Sequence, residues 1–195
     1  MSKPVIFLDF DGVLNSLRST LAFGGCGRHQ FDAVAVDLMA RLAGKADARV
    51  VVSSAWRIGQ TVEGLRIILG EYSTTLAARV IGMTPRGLEC RGAEIAQWLA
   101  ENPSEHNRSF VIVDDDADML DGQLPRFVQT RHRDGIGAPH ATALRSASRT
   151  CSRPRIRLSA SALSSAQLGQ NSSRSAHALQ AAITTSTGYS ASRWV

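Results

Sequence analysis

The sequence predicts an α/β fold in three layers, with a parallel sheet of about five strands covered by helices on both faces. Short apolar runs recur along the first two thirds of the chain, and segments with helical spacing separate most of them. The runs are continuous rather than alternating, which is typical of strands buried on both faces of a parallel sheet.

The elements follow one another in chain order. The predicted strands cover residues 5–8, 49–54, 79–82, 109–113 and 126–130. The predicted helices cover residues 31–46, 61–69 and 92–100. Asp32 suits the start of the first helix, and Gly70 suits the end of the second. Residues 15–30 are rich in glycine, and we expect them to be irregular.

Composition limits the class of protein. The chain has 195 residues, and no apolar run approaches the ~20 residues of a membrane span. The N-terminal residues enter a strand at once, which does not resemble a signal peptide. The three cysteines have no CxxC spacing, so we expect neither a disulfide framework nor a zinc site. These features favour a cytoplasmic protein without membrane partners.

Charge divides the chain into a body and a tail. Residues 1–134 hold 15 Lys and Arg against 17 Asp and Glu, a net charge of −2, whereas residues 135–195 hold seven Arg and no acid, a net charge of +7. Past residue 141 the sequence is rich in Ser, Ala and Arg, without a convincing apolar period. We therefore predict a catalytic domain over 1–140 and a basic tail over 141–195 that is disordered or loosely helical.

Polar side chains follow three of the predicted strands. They are two carboxylates, two hydroxyls and two further carboxylates: Asp9, Asp11, Ser53, Ser54, Asp114 and Asp115. Because the carboxyl ends of parallel strands meet at one edge of a sheet, we expect these groups to converge. Converging carboxylates repel unless a divalent cation or a shared proton relieves the repulsion. The pattern favours a Mg²⁺ site in which one carboxylate attacks and another handles protons.

An ordered set of motifs carries a resemblance to a known superfamily. The motifs are DFDGV at 9–13, VSSAWR at 52–57, RGAEIAQWL at 91–99 and VDDDADML at 113–120. Together they resemble the haloacid-dehalogenase-like (HAD) phosphohydrolases, whose sheet is Rossmann-like. They are similar to the small bacterial and phage branch, which includes the phosphatase-like domains of RNA-repair proteins.

The resemblance implies a phosphatase that works through an aspartyl-phosphate. Asp9 would be the nucleophile, and Asp11 would protonate the leaving oxygen and then deprotonate the attacking water. The resemblance also implies a Mg²⁺ cofactor held by Asp9, the backbone carbonyl of Asp11, Asp114 and Asp115. A carboxylate at position 11 favours phosphoryl transfer over cleavage of a carbon–halogen bond.

A serine hydroxyl and Gly12 would bind the phosphoryl group. Alternation along a strand leaves open whether Ser53 or Ser54 points toward the site. Counting back from the Trp-Arg pair of the second motif favours Ser54 as the catalytic hydroxyl, with both serines kept as phosphate-binding candidates.

The family also needs a Lys or Arg that neutralises the charge of nucleophile and phosphate. Arg91 opens the helix before the fourth strand and is the preferred candidate for catalysis and phosphate binding. Arg86 and Arg57 are its competitors. An arginine keeps the charge of a lysine and adds a planar fork that fits phosphate oxygens.

Other residues near the motifs have weaker signals. Trp98 is predicted in the core, whereas the role of Trp56, beside a strand end, stays open. Asp116, Asp118 and Asp121 are expected in the solvated first turn of a following helix. The five histidines lack ligand spacing, and none is assigned a role.

Spacing predicts an uncapped site. Asp11 and Ser53 are separated by 41 residues, and Ser54 and Arg91 by 36, most of which the predicted elements use. By analogy with the family, an open site suits a large phosphorylated substrate such as a nucleic-acid end or a phosphoprotein.

Two other functions stay open at this point. A phosphotransferase or phospho-acceptor domain could share the Asp nucleophile and the acidic metal site. A catalytically decayed protein could instead bind nucleic acid through the basic tail, in a salt-sensitive manner. The oligomeric state is not readable from the sequence.

Overall fold

A computed structural model describes residues 3–24, 31–106 and 109–150 and places five strands in one parallel sheet. The strands are β1 (Val5–Leu8), β2 (Arg49–Val52), β3 (Val80–Met83), β4 (Phe110–Asp114) and β5 (Phe127–Gln129). Their order across the sheet is β3-β2-β1-β4-β5. Leu8 pairs with Val52 on one side and with Val113 on the other. The positions directly after Leu8, Val52 and Val113 therefore lie at the same level of one sheet edge.

Helices connect the strands. They are α1 (Leu17–Ala22), α2 (Ala33–Lys45), α3 (Val62–Gly70), α4 (Thr74–Ala77), α5 (Arg91–Glu101), α6 (Pro103–His106) and α7 (Ala138–Thr150), with 3₁₀ turns at Ala55–Arg57 and Asp121–Arg126. Asp32 caps α2 as predicted, because its carboxylate accepts a hydrogen bond of 2.8 Å from the Val34 N–H. In the described ranges, no helix has the length and apolar character needed to cross a membrane.

Side chains that alternate along the strands enter two separate cores, one on each face of the sheet. The larger core packs strand residues such as Leu8 and Val52 against Met39 of α2 and Leu65 of α3. The smaller core packs strand residues such as Phe7 and Ile112 against α5. Trp98 belongs to it, with its ring edge-to-face on Phe7 at 5.4 Å. The predicted three-layer α/β fold is confirmed, and no cap domain is evident in the described part of the chain.

One correction concerns residues 15–30, which were expected to be irregular. Residues 17–22 form α1 instead, while residues 25–30 lie outside the described ranges. Ser16 starts this helix: its hydroxyl accepts from the Ser19 N–H, and the Ser19 hydroxyl accepts from the Ser16 N–H. This reciprocal cap uses serine where a Glu or Gln is the usual signal.

A second correction concerns the boundary at residue 140. Helix α7 begins at Ala138 and runs to Thr150, so the first ten residues of the expected tail are helical. Ala141 and Leu144, three residues apart, are buried in the larger core, and α7 packs against α2, β4 and β5. The sequence does not predict this helix, because one leucine and one alanine are too few to form a recognisable apolar period. The compact unit extends to Pro154, and the remainder of the predicted tail lies outside the described residues.

Candidate active site

The ends of three adjacent strands bring the predicted polar groups together. β1 is followed by Asp9, β2 by Ser53 and Ser54, and β4 ends at Asp114. The backbone N–H of Asp9 donates to the Val113 carbonyl at 3.0 Å, and that of Ser53 donates to the Leu8 carbonyl at 3.0 Å. These bonds extend the strand pairing by one residue and fix the functional side chains at one edge of the sheet.

Three carboxylates form a cluster that could hold a metal ion. Asp9, Asp114 and Asp115 each offer an oxygen, and these oxygens lie within 4.8 Å of one another. Asp9 and Asp114 are buried, with 4% and 1% of their surfaces exposed. Among the described residues, one oxygen of Asp114 is buried without a hydrogen-bond partner. A cation at this cluster would satisfy that oxygen and offset the repulsion, and carboxylates are the ligands that Mg²⁺ prefers.

The electrostatics of the cluster reflect its burial. Burial raises the pKa of Asp9 to about 6; the charges of Asp11 and Asp115 add to the rise, and Arg91 opposes it. Burial and the charge of Asp9 raise the pKa of Asp114 to about 7, again against Arg91. Each ionised carboxylate therefore disfavours ionisation of its neighbour.

Arg91 is the cation that reaches the cluster. Its Nη1 lies 3.1 Å from Asp9 Oδ1 and 3.7 Å from Asp114 Oδ2, and it also donates to the Ser53 carbonyl. Burial alone would lower the pKa of Arg91, but the charges of Asp114 and Asp9 outweigh it and raise the pKa. The backbone N–H of Arg91 donates to Asp118 at 2.9 Å, which anchors the start of α5. Arg91 is thus placed where the sequence analysis expected the cation.

The two competing arginines have different partners from Arg91. Arg86 is exposed. Arg57 is buried and forms an ion pair with Glu94 of α5. Its Nη1 also donates to the carbonyls of Ser53 and Ser54, at 2.6 Å each. Arg57 therefore fixes the backbone of the two serines that follow β2.

The two serines have different surroundings. Both are fully buried. A hydrogen bond between the Ser54 hydroxyl and Asp9 helps to hold down the pKa of that carboxyl. The Ser53 hydroxyl has no partner among the described residues. Ser54, which the sequence analysis favoured, is the serine whose hydroxyl contacts the nucleophile candidate.

Gly12 needs to be glycine for two reasons. Its φ is +68°, in the left-handed region that disfavours other residues, and a Cβ would lie 2.2 Å from the carboxylate carbon of Asp115. Its N–H donates to Asn15 at 3.1 Å, and its carbonyl accepts from the Thr130 hydroxyl at 2.7 Å. The glycine thus lets the turn after β1 approach the acidic cluster closely.

Asp11 is held by two donors. Its Oδ1 accepts from Asn15 Nδ2 at 2.8 Å, and its Oδ2 accepts from the indole Nε1 of Trp56 at 2.9 Å. Trp56, whose role the sequence left open, therefore contacts a predicted catalytic carboxylate. Its proximity to a strand end was the only available signal.

His132 is a site neighbour that the sequence analysis did not identify. Its Nδ1 lies 3.1 Å from Asp115 Oδ2, and its side chain is 68% exposed. It follows β5 by three residues, so the position after a strand end was the available signal.

Two of the three acids expected in a helical first turn after β4 lie in a loop. Asp116 and Asp118 lie in the loop between β4 and the 3₁₀ turn, and Asp121 is the first residue of that turn. Asp118 instead faces the start of α5, because its side chain accepts from the Arg91 N–H.

The family comparison agrees with this geometry. The family described as the HAD domain in Swiss Army Knife RNA repair proteins matches residues 5–141, which include β1 to β5 and every predicted site residue. No curated protein and no solved structure gives a significant match to the chain. HAD domains point to phosphatase-type chemistry, in agreement with an acidic cluster and a buried arginine at the carboxyl edge of the sheet. The chain belongs to the family of HAD domains found in Swiss Army Knife RNA repair proteins.

Proposed function

We propose that this protein is a Mg²⁺-dependent phosphatase that works through an aspartyl-phosphate on Asp9. The observation that carries the proposal is the position of Asp9, buried at the end of β1 and 3.1 Å from the guanidinium of Arg91. A buried carboxylate beside a fixed cation can approach an anionic phosphate without prohibitive repulsion.

The metal would be held by carboxylates of Asp9, Asp114 and Asp115, with the backbone carbonyl of Asp11. The buried Oδ2 of Asp114, which accepts no hydrogen bond from the described residues, supports this ligand set. Mg²⁺ bound there supplies positive charge that offsets the carboxylates and the phosphoryl oxygens.

The proposed catalytic cycle needs two carboxyl groups, one as the nucleophile and one as the proton donor and acceptor. In the first half, a carboxylate oxygen of Asp9 attacks phosphorus, the bond to the leaving oxygen breaks, and Asp11 gives that oxygen its proton. In the second half, water attacks phosphorus, Asp11 takes a proton from the water, and the electron pair of the broken bond returns to Asp9. Inorganic phosphate leaves, and Asp11 is protonated again.

Two side chains would bind the phosphoryl oxygens. Arg91 offers charge and N–H donors, and Ser54 offers its hydroxyl next to Asp9. Gly12 supplies a turn without a Cβ, so that the chain can pass close to the site. Ser53, whose hydroxyl has no partner in the described part of the chain, stays a second hydroxyl candidate.

The substrate class we propose is a phosphorylated end of RNA or DNA. The family name refers to RNA repair proteins. The short connections between the motifs leave the site without a separate cap over the described ranges, which suits a large substrate. The arginines beyond residue 134 would add salt-sensitive attraction to a polyanion.

A substrate screen tests the proposal. The full chain is incubated with p-nitrophenyl phosphate, end-phosphorylated RNA and DNA oligonucleotides and a phosphopeptide, each with Mg²⁺ or with EDTA. We expect continuous phosphate release with Mg²⁺ only, and the highest kcat/KM on an oligonucleotide end. Stoichiometric labelling without turnover would instead indicate a phospho-acceptor, and salt-dependent RNA binding without turnover a decayed enzyme.

A further inference from the structure

The carboxylate of Asp11 is held at both oxygens. Trp56 Nε1 donates to Oδ2 at 2.9 Å, and Asn15 Nδ2 donates to Oδ1 at 2.8 Å. An indole N–H can only donate, so its partner oxygen is fixed as an acceptor. With one donor on each oxygen, the carboxyl group cannot rotate about its terminal bond without losing both hydrogen bonds.

The amide of Asn15 has a determined orientation. Its Oδ1 accepts from the Gly12 N–H at 3.1 Å, which leaves Nδ2 to face Asp11. Because a backbone N–H is always a donor, the reversed amide would place two donors together there and two acceptors together at Asp11. Asn15 thus links the Asp11 carboxylate to the turn of the same loop.

Trp56 is itself held by aromatic packing. Its ring is stacked on Phe31 with centroids 4.7 Å apart and an angle of 20° between the ring planes. Phe10 meets it edge-to-face at 5.6 Å, and its backbone N–H donates to the Ser54 side chain. Phe10 and Phe31 are buried, so the indole packs against a rigid support.

We propose that Trp56 is a positioning residue for the acid–base group Asp11, with Asn15 as the second support. This inference rests on the proposed phosphatase function. Asp11 has to face the leaving oxygen in the first half of the cycle and the attacking water in the second. A proton donor needs its oxygen within hydrogen-bond reach of the accepting atom. The Trp56 N–H supplies a fixed point for that geometry without contacting the substrate.

The test compares two esters that differ in their need for a proton. The leaving group of p-nitrophenyl phosphate departs as a stable anion, whereas an alkyl phosphate such as glycerol phosphate needs protonation of its leaving oxygen. Trp56→Phe keeps a smaller aromatic ring that can pack on Phe31, but it removes the N–H. We expect kcat/KM for the alkyl ester to fall roughly tenfold more than kcat/KM for the p-nitrophenyl ester, since general acid catalysis supplies about 10²–10⁴ in rate.

A matched control removes an indole N–H elsewhere. Trp98 lies in the core on the other face of the sheet, and Trp98→Phe should leave the ratio of the two kcat/KM values at the wild-type figure. If Trp56→Phe does not fold, Asn15→Ala removes the other donor to Asp11 and must show the same selective loss on the alkyl ester.

The outcomes separate two kinds of failure. An equal loss on both esters, or no loss, would overturn the positioning role and leave the phosphatase proposal intact. A wild-type protein without Mg²⁺-dependent turnover on either ester would overturn the proposed function, and the positioning role with it.

Discussion

Arg91 and Asp9 are joined across 82 positions of sequence by an ion pair of 3.1 Å, with the arginine in the first turn of α5 and the aspartate at the end of β1. The same Nη1 lies 3.7 Å from Asp114. One guanidinium thus faces both buried carboxylates of the acidic cluster. This arrangement lets a nucleophile candidate stay close to a candidate metal ligand inside the protein.

Arg91→Met should remove most of the phosphatase activity. Loss of a fixed charge at a developing negative charge costs roughly 10²–10³ in rate. Arg91→Lys should recover part of it, because lysine keeps the charge but lacks the planar fork. The measurement is kcat/KM on p-nitrophenyl phosphate, with the exposed Arg86→Met as control. Wild-type kcat/KM in Arg91→Met would show that another residue supplies the charge.

The metal-free protein should lose stability as the pH rises from 4 toward 8. Asp9 and Asp114 have pKa values of about 6 and about 7 in the folded state, above the ordinary aspartate value of 3.8. The fold therefore favours their protonated forms, and this stabilisation is complete below pH 4 and is lost as the pH passes through 6 and 7. The loss of stability is measured as a fall in Tm between pH 4 and pH 8 in the presence of EDTA. Added Mg²⁺ should restore the Tm at pH 8.

Asp114→Asn tests the origin of that pH dependence. The variant removes one buried charge, so its metal-free Tm at pH 8 should rise by about 5 °C, at roughly 2–4 °C per kcal/mol for a chain of this size. The slope of Tm against pH should also flatten. Asp121→Asn, an exposed carboxylate in the 3₁₀ turn, serves as control. A lower Tm in Asp114→Asn at pH 8 would contradict the account.

The ion pair between Arg57 and Glu94 should matter for folding. Both side chains are buried, with 6% and 10% exposed, and Arg57 also supports the carbonyls of Ser53 and Ser54. Glu94→Gln leaves the guanidinium without its counter-charge, which should cost about 3 kcal/mol of unfolding free energy in urea. Glu101→Gln, an exposed carboxylate of the same helix, should change it by less than about 0.5 kcal/mol. Equal stabilities would mean that the pair contributes nothing net.

The end of the catalytic unit can be located by truncation. A chain ending at residue 154 should keep cooperative melting and turnover on p-nitrophenyl phosphate, and lose only salt-sensitive affinity for oligonucleotides. A chain ending at residue 140 loses the buried Ala141 and Leu144. In the full chain, Leu144→Ala should cost about 2–5 kcal/mol, whereas the exposed Thr142→Ala should be near neutral. Cooperative melting of the 140-residue chain at the wild-type Tm would return the boundary to residue 140.

The strands and the acidic cluster were predictable because their signals are local. A continuous apolar run predicts a buried strand, and a carboxylate directly after the run indicates that it lies at the edge of the sheet. This pattern predicts Asp9 and Asp114, whereas the choice of Arg91 also depends on the resemblance to the HAD phosphohydrolases, which need a cation beside the nucleophile. Parallel topology then predicts that these side chains converge, since it brings the carboxyl ends of all strands to the same side of the sheet.

The contacts between loops were not predictable from local patterns. Trp56 meets Asp11 across 45 positions, and Arg57 meets Glu94 across 37. Such pairs depend on how the 3₁₀ turn after β2 docks on its neighbours, which no period in the sequence encodes. Helix α7 was missed for a related reason: its buried face needs only Ala141 and Leu144 because α2 and the sheet supply the remaining apolar surface.

Trapping the phosphorylated protein tests the central claim most directly. The full chain is mixed with an alkyl or oligonucleotide phosphate and Mg²⁺, quenched in acid during turnover, and treated with borohydride, which reduces an aspartyl-phosphate to homoserine. Peptide mass spectrometry should then find homoserine at Asp9. The Asp9→Asn variant, whose amide cannot act as the nucleophile, should be folded and inactive. Phosphate release that continues in Asp9→Asn, or turnover with the label on another residue, would contradict the account.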